Sequence, residues 1–113
     1  MIKHFYSYHV EIESVEIEID SLNISDAEKK HLKNLAESQI HNSILENLLS
    51  ELSGEDKIEF IKKLNTKDHE KMWDFLREKI NDVEEKIVKA GSRVKNELIK
   101  DIIEEKNKLS SQS

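Results

Sequence analysis

The sequence predicts an all-α fold: an irregular bundle of about five helices with a long second helix and a long C-terminal helix. Three observations carry that prediction. The 113 residues contain no Pro and only two Gly, Gly54 and Gly91, so little interrupts a long helix. Apolar residues recur at three- and four-residue steps over most of the chain. Candidate N-caps, three of the four followed three residues later by an acid, mark the helix starts. Charged residues make up 37% and hydrophobic ones 36%, which is polar for a globular chain but too well patterned for disorder. The reading is one helical domain over 1–108, with an acidic N-terminal segment (1–24), central helices (25–80) and a C-terminal helix (81–108). A disordered tail is expected over 109–113.

The N-terminal segment supports two patterns. Val10-Glu11-Ile12-Glu13 and Val15-Glu16-Ile17-Glu18-Ile19 alternate like a β-branched strand, but the phase changes at Ser14-Val15 and demands a bulge. Read as a helix, Phe5, Tyr8, Ile12, Val15, Ile19 and Leu22 fall at heptad steps, with Tyr6, Val10 and Ile17 on the other side. The periodicity favours the helix, and the bulged strand stays open as its alternative.

Ser25-Asp26-Ala27-Glu28 is a capping box. It opens a helix of about 27 residues, ~40 Å long, whose apolar positions are Leu32, Leu35, Ala36, Ile40, Ile44, Leu48, Leu49 and Leu52. Ser53-Gly54-Glu55-Asp56 opens a shorter helix packing through Ile58, Phe60, Ile61 and Leu64. Asp68, with Thr66 as its rival, caps a third that carries Met72, Trp73, Phe75, Leu76 and Ile80. The last helix begins near Asn81, in a looser box ending at Glu84. It packs through Val83, Ile87, Ala90, Val94, Leu98 and Ile102, beside a second apolar line of Val88, Ile99 and Ile103.

The formal charge of −6 is local. Residues 1–28 hold seven acids and one base, while 29–80 hold ten of each sign and 81–113 seven of each. Within the last helix, Lys86, Lys89, Arg93, Lys95 and Lys100 stand against Glu97 alone. The acidic and basic stretches are suited to pair, within one chain or between two copies.

Several function classes are excluded or disfavoured. Without Cys there are no disulfides, thiolate nucleophiles or Cys-based zinc sites. No Gly-rich phosphate loop and no nucleophile elbow occurs, so an enzyme is not expected and no cofactor or small-molecule substrate is assigned. No apolar run approaches a membrane span and no signal-peptide core is present, which points to the cytoplasm. Two alternatives keep some footing. Glu28 with His31, and Glu37 with His41, are helical pairs at ligand spacing, but no second Glu-x-x-His faces them from another helix. The basic stretch 86–100 is the one feature that favours nucleic acid, against an overall acidic sign.

The blocks Lys3-His4-Phe5-Tyr6-Ser7, Leu52-Ser53-Gly54-Glu55-Asp56-Lys57 and Asp68-His69-Glu70-Lys71-Met72-Trp73 resemble those of small all-helical bacterial proteins of unknown function. That resemblance implies a helical domain and assigns no activity or site residue. The residues themselves favour a non-enzymatic protein-protein interaction or self-association module, a homodimer being one form. Phe5, Tyr8, Ile12, Val15 and Ile19 would form its apolar seam, and Glu11, Glu16 and Glu18 would select a basic partner helix.

Overall fold

Three of the four capping signals act as written. A computed structural model describes residues 4–111 of the chain, and side chains over 4–108; Lys3, the single base of the acidic segment, lies outside the described residues. Ser25 Oγ accepts the Glu28 N–H at 3.2 Å and donates to the Glu28 carboxylate at 3.1 Å, opening α2 (Asp26–Ser50). Ser53 accepts the Asp56 N–H at 3.3 Å and opens α3 (Gly54–Thr66). Asp68, not Thr66, caps α4 (His69–Lys79) by accepting the Lys71 N–H at 3.1 Å. Before these comes the short α1 (Glu13–Asp20), and after them α5 (Val83–Ser111); there is no strand among the described residues. The all-α bundle with long second and last helices is therefore what the chain forms.

The fourth box does not form. Asp82 takes a left-handed conformation (φ 53°), which Asp tolerates better than most residues, and the first helical bond of α5 runs from the Lys86 N–H to the Asp82 carbonyl at 3.0 Å. The tight turn has to bury both Ile80 and Val83, only three residues apart, and it uses Asn81 and Asp82 to reverse the chain. The backbone of α5 is helical through Ser111, and residues 112–113 of the expected tail lie outside the described residues.

α2 and α5 are the antiparallel spine. Lys86 near the start of α5 reaches Glu51 just past the end of α2 at 3.3 Å, and at the other end Glu28, Leu32 and Glu105 line one crevice. α1 lies along both: Glu11, just before it, bonds Lys95 of α5, and Asp20 at its end bonds Lys33 of α2 at 2.7 Å. α3 and α4 form a hairpin, tied by Asp56 and Lys79 at 3.7 Å. The buried row of α2 is Ala36, Ile40, Ile44, Leu48 and then Leu52 at strict four-residue steps, facing Val83, Ile87 and Ala90 of α5 and Val15 and Ile19 of α1 in one core. Leu35, Ile58 and Ile61, predicted to pack, are exposed; Phe60 alone is buried on α3. The molecule measures 55 × 23 × 21 Å, with a radius of gyration of 16.5 Å where a compact chain of this length has about 13 Å. The two long helices make it a rod. No helix among the described residues is long and apolar enough to cross a membrane.

The helix predicted over 5–22 is shorter than its heptad pattern. Residues 4–9 are successive turns, closed by the Ser7 N–H on the His4 carbonyl (3.1 Å) and the His9 N–H on the Tyr6 carbonyl (2.8 Å), and α1 begins only at Glu13. Phe5 and Tyr6 are adjacent, and both are buried against different neighbours, which a single helical seam cannot arrange. From Ile12 onward the heptad line holds, with Val15, Ile19 and Leu22 buried.

Candidate functional site

The turns over 4–10 act as a strap across the rod. The Trp73 indole N–H donates to the Phe5 carbonyl at 2.9 Å, and the Phe5 ring meets Trp73 and Phe60 edge-on, at centroid distances of 5.6 and 6.4 Å. The Tyr6 hydroxyl and Nδ1 of His41 share a hydrogen bond of 2.6 Å, and the His4 ring stacks on both Tyr6 and His41. Val10 sits over Gly91 of α5, where a Cβ would come within 2.7 Å of a Val10 methyl. Gly91 is thus a notch that lets the strap touch the helix. Its burial in the middle of α5 carried no sequence signal beyond its isolation.

A groove of about 770 Å³ opens between the strap and α2. Its charged wall is made by Glu11, Glu13, Glu16 and Glu37, with His4 beside them and Tyr8 at the edge. The Glu11 carboxyl is held down to about 2 by the Ser14 N–H at 2.9 Å, with Lys95 and the Ser14 hydroxyl adding to it against partial burial. Burial, then the Glu37 charge, pushes the Tyr6 phenol up. Burial and the neighbouring His4 push the His41 imidazole down, and Glu37 opposes them. His4 Nε2 stands 3.6 Å from the Glu37 carboxylate.

The structure divides the predicted seam. Phe5, Val15 and Ile19 are fully occupied in the chain's own core, and Ile12 packs half-buried against it. Tyr8, predicted on the same line, is 81% exposed. Of the predicted acids, Glu11 is bonded to Lys95 at 3.0 Å, while Glu16 and Glu18 are half-buried. Ile17, read as the off-seam line, is 66% exposed. Sequence reasoning missed Glu13, Glu37 and His4 as groove residues, because only the fold brings 37 beside 4 and 13.

The two alternatives are also placed. Glu37 and His41 meet His4, whereas Glu28 and His31 line the crevice at the far end of the rod. Among the described residues, no group of three or more His, Asp or Glu side chains is placed to hold a metal ion. In the basic stretch, Lys86 pairs with Glu51, Lys89 with Glu85 and Lys95 with Glu11. That leaves Arg93 and Lys100 without an ion pair among the described residues. The chain matches no protein-family model, no curated protein and no solved structure.

Proposed function

We propose that this is a non-enzymatic interaction module, acting in the cytoplasm, that docks a protein segment carrying Lys or Arg beside apolar residues. The observation that supports it is Tyr8: an aromatic 81% exposed at the edge of a groove walled by four carboxylates. Exposed aromatics next to complementary charge are typical interface anchors, the aromatic contributing area at low entropy cost and the charge setting orientation. The seam is therefore reassigned from Phe5, Val15 and Ile19 to Tyr8 and Ile17, with Glu13, Glu16 and Glu18 as the selecting acids. The same chain offers a matching segment on the outer side of α5, where Arg93 and Lys100 accompany the exposed Val88 and Ile103. A homodimer is the form we favour.

Sedimentation equilibrium over a range of protein and salt concentrations tests this. A dimer is expected at low salt, weakening as salt rises and lost in Tyr8→Glu. A monomer at every salt and protein concentration overturns the homodimer. A photo-crosslinking residue at position 8 in the intact protein then reports whether any protein occupies the groove.

A further inference from the structure

On the other side of the strap lies a second cavity, of about 380 Å³, with the opposite chemistry. Three of the chain's five histidines line it, each from a different stretch: His4 from the strap, His41 from α2 and His69 from the start of α4. Lys63 and Lys67, from the end of α3, stand on its polar wall with Asn65 and Asp68. Phe5, Leu64 and Met72 supply an apolar floor.

The charge balance of this wall is cationic and in part uncompensated. Lys63 is shared with Glu59 at 3.3 Å and lies 5.5 Å from the Phe75 ring centroid, but Lys67 has no ion pair among the described residues. Asp68 is the one carboxylate on the wall. It is committed elsewhere, to the Lys71 N–H at 3.1 Å and the Lys71 ammonium at 4.0 Å. The His4 and His41 rings stack 4.4 Å apart; Tyr6 takes Nδ1 of His41, and Glu37 approaches His4 from the acidic groove. His4 opposes the protonation of His41 beside it, and an anion between the two rings and Lys67 would relieve that opposition. The His69 ring makes no hydrogen bond among the described residues, and α4 starts at this wall, its positive dipole end adding to the same sign. A shared metal ion is the wrong ligand here, because the three imidazoles do not converge as a ligand set. A bare oxyanion would leave the apolar floor unused in a cavity of this volume.

We propose that this cavity binds a small phosphate monoester, its phosphate held by Lys67, His69 and the His4–His41 pair and its organic part resting on Phe5, Leu64 and Met72.

The test is an NMR titration of the histidine ring signals in the full chain, with phenyl phosphate, inorganic phosphate and, at matched ionic strength, sodium chloride. The signals of His4, His41 and His69 are expected to move together and saturate, while those of His9 and His31, which stand outside the cavity, stay put. Phenyl phosphate should bind about tenfold tighter than inorganic phosphate, the gain from burying its ring. The double variant Lys67→Gln/His69→Gln, at one exposed and one half-buried position, should lose about tenfold in affinity with a nearly unchanged thermal midpoint. Shifts that follow sodium chloride or never saturate, equal affinity for the two phosphates, or unchanged affinity in the double variant would each overturn the proposal. A salt-sensitive dimer in the same samples keeps this outcome separate from the docking reading.

Discussion

At the scale of single residues, Gly91 and Val10 make the sharpest case. Gly91 lies inside α5, where Ala would ordinarily stabilise the helix by about 1 kcal/mol. Here the added Cβ would stand 2.7 and 2.9 Å from the two Val10 methyls, on a short β-branched side chain that cannot swing away. Overpacking of this kind costs about 1–3 kcal/mol, so Gly91→Ala is expected to destabilise despite its better propensity. Val10→Ala should recover part of that loss, and a double-mutant cycle by urea denaturation should give a coupling of about 1 kcal/mol; strict additivity would refute the notch. Glu11 supplies a pH-dependent counterpart. Its folded pKa of about 2 lies below the ordinary 4.5, so its contribution is present above pH 4.5 and is lost as pH falls from there through 2. The side chain is half exposed, and after solvent screening that contribution is about 0–1 kcal/mol. Glu11→Gln should therefore flatten the acid limb of the stability profile in that window and change little at neutral pH.

At the scale of elements, the helices whose caps and periodicity agree were legible in the sequence, and those where tertiary contacts overrule local pattern were not. α2, α3 and α4 begin where Ser25, Ser53 and Asp68 place them, because capping is a local interaction. The strap could not be read, because its conformation depends on Trp73, Phe60, His41 and Gly91, all more than thirty residues away. The groove was half legible: its acids on 11–16 stand in the charge count, while Glu37 and His4 join them only through the fold. Each half of this division has a consequence that can be measured. Ser25→Ala removes a cap that acts alone and should cost about 1 kcal/mol in denaturant unfolding. The strap, by contrast, should respond to pH through His41. That group's folded pKa is depressed by burial and His4, so the unfolded chain binds its proton more readily and stability falls as pH drops below about 6.5. In a His9→Gln background, which removes the imidazole 4.9 Å from the Trp73 ring, Trp73 fluorescence should still change over that range in the native protein, and His41→Gln should remove most of the change.

At the scale of the whole molecule, the two long helices give a rod in which few residues are far from solvent, so the strap carries an unusual share of the burial. Phe5, Tyr6 and Val10 are at least nine-tenths buried and seal the junction between the α3–α4 hairpin and the spine. Fully burying such side chains contributes about 1.5–3 kcal/mol each, and the three together approach the 5–15 kcal/mol by which whole domains are stable. The excess of acids over bases is concentrated in residues 1–28, and the charge pairs that tie this segment to the spine, Glu11 with Lys95 and Asp20 with Lys33, are partly exposed and set its position more than its stability. Apolar burial, not charge pairing, therefore holds the N-terminal segment in place. Removal of residues 1–10 should abolish the sharp thermal transition and the near-ultraviolet signal of Trp73 while leaving much of the helical signal of α2 and α5, as expected when side-chain packing is lost before secondary structure. Reversing the charge pair with Glu11→Lys should leave the transition cooperative and lower its midpoint by only a few degrees. If the truncated chain melted as sharply as the full one, the strap would be an ornament on a self-sufficient bundle, and both cavities it borders would lose their shared wall without cost to the fold.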